Sequence, residues 1–151
     1  MINPDLTINT DLAREILTGF VRSEITRVGM SRAIINLSGG LDSALSCALA
    51  VAALGAENVM ALRLPYRTSS SDSLEHAQLV IDQFKVQSET IDISAMVDPL
   101  IERDSTISSV RKGNIMARVR MIVLYDQSEV FKALPVGTSN KTEILLGYST
   151  M

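Results

Sequence analysis

The chain has one cysteine, one histidine and no tryptophan among its 151 residues, and its basic side chains are outnumbered by acidic ones, 14 against 17. A lone cysteine, Cys47, excludes an internal disulfide; set in an apolar helical pattern, it reads as a small buried hydrophobe in a chain expected in a reducing cytoplasm. The single histidine, His76, falls on a polar helix face, where solvent exposure is expected rather than metal binding or proton transfer. A net charge of −3 leaves no basic footprint for nucleic acid. The longest strongly apolar stretch, Ala44 to Leu54, is too short to span a bilayer, and no signal peptide precedes it, so no membrane partner is expected. Four prolines mark no linker, and neither a repeat nor a low-complexity tract is visible. With 46% apolar and 21% charged residues, the sequence reads as one folded domain over residues 1–151.

What is present is a regular alternation. Leu12, Ile16, Leu17, Phe20, Val21, Ile25 and Val28 recur at helical spacing over residues 11–28, with Thr10 as the expected cap and Gly29 as the stop. Runs rich in β-formers follow at Ala33–Leu37, Val59–Leu64, Glu89–Ile93 and Val130–Val136, separated by helical patterns at Asp42–Leu54, Asp72–Phe84 and Val110–Gln127. That order predicts an α/β fold: a doubly wound parallel sheet, Rossmann-like, with helices on both faces. Residues Arg103 to Ser109 are polar and small and read as a mobile surface loop. Pro135 conflicts with a central strand, because proline removes a ladder donor; pairing on one side, or a bulge, would accommodate it.

The most informative stretch is Ser38-Gly39-Gly40-Leu41-Asp42-Ser43, placed after an apolar run and before an apolar helix. Glycines let a backbone approach an anion, and the N-terminus of the following helix favours negative oxygens. Asp42 would repel bound phosphates unless a divalent cation such as Mg²⁺ lies between them. A simpler reading is a Ser-Gly-Gly turn with Asp42 as a cap. The loop has neither the Gly-Lys-Ser/Thr ending of a Walker A loop nor the G-x-G-x-x-G of a dinucleotide fold.

A second glycine-led turn, Gly137-Thr138-Ser139-Asn140-Lys141-Thr142-Glu143, again lies between a strand and a helix. If the strands ending at Leu37 and Val136 are neighbours, Asp42 and Glu143 could approach one cation from two sides. Asn140 with Glu143 three residues later also makes a helix-start cap pair. The third feature is the helix Arg111-Lys112-Gly113-Asn114…Ala117-Arg118-Val119-Arg120-Met121. Here Arg118 and Arg120 are expected on nearly opposite sides, so that one of them faces a given ligand, and Arg111 and its neighbours are expected to pair with anions or protein carboxylates. Met116 and Met121 read as fillers of core or interface gaps.

Taken together, these three segments, with Leu64-Pro65-Tyr66-Arg67-Thr68-Ser69-Ser70 and Ile93-Ser94-Ala95-Met96-Val97-Asp98, resemble the ammonia-dependent NAD synthetases of the N-type ATP pyrophosphatase group over nearly all of the chain after residue 10. The resemblance implies ATP-dependent amidation of deamido-NAD through an adenylated intermediate, giving NAD, AMP and pyrophosphate. It implies that Asn36, Leu37, Ser38, Gly39, Gly40, Leu41, Asp42, Ser43, Arg63 and Thr138 hold ATP, that Arg118 touches deamido-NAD, and that Asp42 and Glu143 bind Mg²⁺. It further implies a homodimer and, with no glutaminase domain, free ammonia as nitrogen donor. Asn36 stands where the family usually has glycine. The family continues past Gly147-Tyr148-Ser149-Thr150-Met151 into a Gly-Asp-Gly segment, another strand, and further lysine and aspartate positions, so the domain is expected to be incomplete at its C-terminal end. A shortened nucleotide-binding module without catalysis, or another ATP-dependent amide-forming ligase, are the competing readings.

Overall fold

Ala33, Ile34 and Ile35 are all fully buried, but in two different cores. Successive side chains of a strand alternate between faces, so Ala33, Ile35 and Leu37 enter one core and Ile34 the other. In the computed structural model, which describes residues 7–147, this segment is β1 (Ala33–Asn36), an inner strand of a four-stranded parallel sheet. The first core gathers Ile25 of α1 (Thr10–Arg27), Cys47 and Ala50 of α2 (Leu41–Leu54), and Ala77 and Ile81 of α3 (Ser71–Phe84). The second gathers Val97 of α4 (Ser94–Ile101) and Val119 and Val123 of α5 (Ser109–Phe131). The remaining strands are β2 (Val59–Arg63), β3 (Gln87–Thr90) and β4 (Leu134–Pro135), and α6 (Lys141–Leu146) follows them. The order β3-β2-β1-β4, parallel throughout and with helices packed on both faces, is the doubly wound α/β architecture.

Several expected boundaries move, each for a local reason. Asn9, not Thr10, caps α1, its side chain accepting from the Leu12 N–H at 3.1 Å. Only Ile25 of that helix is fully buried, and the stripe Leu12, Ile16, Phe20 is exposed. The third strand lies two residues earlier than its apolar run: Gln87–Thr90 forms an exposed edge, and Ile91 and Ile93 extend the pairing by donating to the Arg63 and Pro65 carbonyls. Between Ile93 and Arg103 a short helix, α4, escaped the periodicity because it has eight residues and contains Pro99. Val130 and Phe131 finish α5 rather than start a strand, since Lys132 adopts a left-handed conformation and ends the helix.

Pro135 is accommodated by one-sided pairing. Leu134 and Val136 donate to the Arg32 and Ile34 carbonyls of the β1 side, so the position between them would direct an N–H away from β1. The expected surface loop, Arg103–Ser109, is largely exposed and carries its own hydrogen bonds. Asp104 accepts from the Thr106 N–H and hydroxyl and from Arg111 at 2.5 Å, and Ile107 is buried beneath it. His76 is exposed, as expected. Burial pushes the Cys47 thiol up to about 11, in keeping with a core hydrophobe. Among the described residues no helix is long and apolar enough to cross a membrane. Tyr148–Met151, part of the expected C-terminal stretch, lie outside the described residues.

Two predictions test this arrangement. Ile35→Ala should cost about 2–5 kcal/mol in a urea titration, because a fully buried side chain leaves a cavity, whereas Pro135→Ala should stay within about 1 kcal/mol because no ladder bond depends on it. Hydrogen bonds from the Thr106 hydroxyl, the Arg111 guanidinium and the Thr106 amide hold the Asp104 carboxyl at about 2, below the usual carboxylate range. A depressed carboxylate stabilises the fold above its unfolded pKa, and that contribution fades as pH falls from about 4 through 2. Asp104→Asn should therefore flatten the acid limb of a thermal-stability profile in that window.

Candidate nucleotide-binding site

From β1 the chain moves outward through β2 to β3, then returns across the sheet to add β4 on the other side of β1. The strand order reverses between β1 and β4, and the carboxyl ends of those strands open into a crevice where such sheets take their ligands. The crevice is a cavity of about 550 Å³. Its floor is Asn36, Leu37 and Ser38 after β1 and Val136, Gly137 and Thr138 after β4. The β2 end supplies Arg63, Leu64 and Pro65, the start of α3 supplies Ser69, Ser70 and Ser73, and α5 supplies Ala117, Arg118, Arg120, Met121 and Leu124. Three arginines and no acidic residue line it, in a chain whose net charge is −3. The N-terminus of α3 borders the same space through Ser70 and Ser73 and adds to its positive character.

The Ser38–Ser43 loop is shaped by its own hydroxyls. The Ser38 and Ser43 Oγ atoms lie 3.1 Å apart, the Gly40 N–H donates to Ser38 Oγ and the Ser38 N–H to Ser43 Oγ, each at 3.3 Å, and Ser43 Oγ donates to the Gly40 carbonyl at 2.9 Å. Ser43 is thus buried as an internal brace, while the Leu41 side chain is 83% exposed and offers only its backbone. The two glycines differ sharply. Gly39 has φ +85°, and a Cβ there would lie 2.1 Å from the Ser73 carbonyl oxygen of α3. Gly40 has φ −83°, and a Cβ would meet only Ser38 Oγ at 3.5 Å.

The two acidic positions are brought together through Asn140. Its Nδ2 donates to Asp42 Oδ2 at 3.4 Å, its Oδ1 accepts the Glu143 N–H at 2.9 Å, and its own N–H donates to Glu143 Oε2 at 3.2 Å. The last two contacts are a capping box at the start of α6. Among the described residues no group of three or more His, Cys, Asp or Glu side chains is placed to hold a metal ion. Two carboxylates on one asparagine could hold Mg²⁺, which commonly takes one or two protein carboxylates and completes its shell with water and substrate phosphates.

The arginines depart from expectation. Arg118 and Arg120 both line the cavity. With successive residues about 100° apart, Ala117, Met121 and Leu124 form the central stripe and the two arginines flank it, each long enough to reach over its rim. Arg120 is half-buried, donates its Nε to the Leu64 carbonyl at 2.9 Å, and has its charged form disfavoured by burial. Arg63 donates Nη1 to Gln78 Oε1 at 2.6 Å and keeps a buried Nε without a partner. Arg111 pairs with Asp104, an ordinary salt bridge. Sequence reasoning set Arg120 on the side opposite Arg118, and gave no site role to the hydroxyl wall Ser69, Ser70 and Ser73. The cluster of serines just after β2 was the available signal for the latter.

The NAD synthase family profile matches residues 13–151. The chain belongs to the NAD synthase family. It is 54% identical over 147 residues to the NH(3)-dependent NAD(+) synthetase of Chlorobium phaeovibrioides, covering 97% of this chain and 53% of that protein. The fold also matches the NH3-dependent NAD synthetase of Campylobacter jejuni, in complex with the nitrate ion, with a TM-score of 0.89 at 35% identity over 95% of this chain and 62% of that one. A glutamine-dependent NAD+ synthetase of Acinetobacter baumannii, in complex with ADP, matches with a TM-score of 0.84 at 33% identity, covering 89% of this chain and 26% of that one. The chain spans about half the length of the curated relatives it matches. Within the family's sheet, the glycine contrast makes a direct prediction. Gly39→Ala should displace the loop and destabilise the fold by more than about 1 kcal/mol in a urea titration, since alanine is incompatible with both the φ and the space. Gly40→Ala should fold with nearly unchanged stability.

Proposed function

We propose that this chain carries the ATP site of an ammonia-dependent NAD synthetase. A cavity lined by three arginines and no carboxylate, at the strand-order reversal of the sheet, is the observation that carries the reading. Arg63 and Arg120 are half-buried and donate to neutral acceptors, Gln78 Oε1 and the Leu64 carbonyl, and a polyanionic ligand would offset the cost of holding those two charges partly out of water. In this reading Asn36 to Ser43 and Thr138 surround the ATP phosphates, with Arg63 at the β2 end of the cavity. The 3.3 Å hydroxyl bonds to the Ser38 and Gly40 amides are long, and a charged phosphate oxygen is a stronger acceptor than a serine hydroxyl. Asp42 and Glu143 would hold Mg²⁺, whose charge offsets that of the phosphates. Arg118 binds deamido-NAD from the α5 rim.

The chemistry then needs alignment more than a protein nucleophile. The nicotinate carboxylate of deamido-NAD attacks the α-phosphorus of ATP, the bond to the bridging oxygen breaks, and pyrophosphate leaves. Ammonia attacks the acyl carbon of the adenylate, AMP departs, and a proton is lost to solvent, leaving the amide of NAD. Positioning and charge neutralisation supply most of the rate in phosphorus-centred transfers of this kind. The exposed α5 residues Ile122 and Tyr125, beside Met121, are apolar enough to pack against a second copy, which fits the homodimer. A cytoplasmic enzyme using free ammonia completes the reading.

Calorimetry of the 151-residue chain with ATP and Mg²⁺ should show saturable binding that falls about tenfold or more in Asp42→Asn, the loss expected when a charge-assisted contact is removed. Adding deamido-NAD and ammonia should release pyrophosphate and AMP in step with NAD. Binding without pyrophosphate release would leave the nucleotide site standing and reject ligase activity for this chain; absence of binding would reject both.

A further inference from the structure

The segment Leu64–Ser70, between β2 and α3, has two sides. Pro65, Ser69 and Ser70 face the cavity. The opposite side is tied to α4 by a set of contacts that converge on Asp98. Tyr66 Oη donates to Asp98 Oδ1 at 2.9 Å, the Arg67 guanidinium pairs with Asp98 Oδ2, and the Arg67 N–H donates to Ser94 Oγ at 2.9 Å. The guanidinium also lies 5.7 Å from the centroid of the Tyr66 ring. Within the segment, the Ser69 N–H donates to the Tyr66 carbonyl at 2.7 Å and the Tyr66 N–H to Ser69 Oγ at 3.0 Å. Asp98 is well shielded, its side chain 16% exposed, and it sits one residue after Val97, which is fully buried in the second core.

These contacts form a continuous mechanical path from the core, through Asp98 and the Tyr66–Arg67 pair, to Ser69 on the cavity wall. We propose that Asp98 is a positioning residue: by engaging Tyr66 with one carboxylate oxygen and Arg67 with the other, it sets the shape of the Leu64–Ser70 wall against which the nucleotide binds. The residue lines no part of the cavity and touches no substrate. Its effect is indirect, and it rests on reading the cavity as the Mg-ATP site. Both oxygens of one carboxylate are engaged by different side chains, so neither Tyr66 nor Arg67 alone defines the wall. Because hydrogen bonds to a charged group are the stronger kind, losing Asp98 should loosen the segment without unfolding the sheet.

Hydrogen exchange on the full chain tests the wall without any ligand. Asp98→Ala should speed exchange of the Tyr66, Arg67 and Ser69 amides by about tenfold or more, leaving the β1 amides unchanged. Asp98→Asn, which retains an acceptor for Tyr66, should fall between wild type and alanine, and Tyr66→Phe should reproduce part of the effect. In parallel, the Kd for Mg-ATP should rise about tenfold in Asp98→Ala and less in Asp98→Asn, in the same order as the exchange rates. Unchanged exchange in Tyr66–Ser69 would overturn the proposal. Equal acceleration in β1 would also overturn it, showing a general stabilising role. If exchange responds but wild type binds no Mg-ATP, the wall is held as described and the nucleotide reading fails instead; if wild type binds and the variants bind equally well, the positioning role fails while the nucleotide reading stands.

Discussion

The pairing of β4 with β1 is the constraint on which the site depends. It is short, with Leu134 and Val136 donating to the carbonyls of Arg32 and Ile34. Yet that register sets the turn after β4 beside the turn after β1. Without it, Asp42 and Glu143, 101 positions apart in sequence, would have no reason to meet. A parallel neighbour cannot be reached by a hairpin, so the chain travels through α4 and α5 to make the connection. That excursion is also what brings the arginines of α5 over the crevice. One register thus positions the Ser38–Ser43 loop, the two carboxylates and the arginines of α5 together.

Electrostatics explains how an acidic protein can present a site for a polyanion. The net charge describes the far field, whereas binding depends on the local groups. Here the carboxylates stay out of the cavity lining while three arginines and the N-terminus of α3 line it. Asp42 and Glu143 lie outside that lining and are linked through Asn140. Arg63 and Arg120 have no acidic partner among the described residues, and their bonds go to an amide and a carbonyl oxygen. Neutral acceptors fix the direction of a guanidinium without cancelling its charge, so the field at the cavity is preserved.

The sheet was legible because buried parallel strands and amphipathic helices differ in period, and β1, β2, α2 and α3 are close to their expected limits. Less legible were elements whose shape depends on tertiary pairing. Gln87–Thr90 is polar, and only its place beside β2 makes it a strand. Val130 and Phe131 have strand propensity but complete a long helix whose end is set by Lys132. In the site, the loop and both carboxylates could be found from local spacing, and their meeting could be stated only as a condition on strand order. Arg120 was set opposite Arg118, and the structure differs for a geometric reason: opposite sides of a helix need not mean different cavities when long side chains flank a stripe of small and apolar residues.

The capping role of Glu143 and its place beside Asp42 need not compete. In the capping box, Oε2 accepts the Asn140 N–H at 3.2 Å. An ionised carboxylate has about four lone-pair sites on its two oxygens, so one backbone bond leaves most of its acceptor capacity available. The cap also restricts the side chain: a glutamate free in solvent samples many rotamers, and one tied to the helix start has already lost much of that freedom. Asn140 also reaches Asp42 from the other side, by a long contact of 3.4 Å from its amide nitrogen to Oδ2. The local rule that starts α6 therefore also restricts Glu143 on the asparagine that reaches Asp42. A structural explanation of the Asn-x-x-Glu pattern and a metal-binding one describe the same geometry.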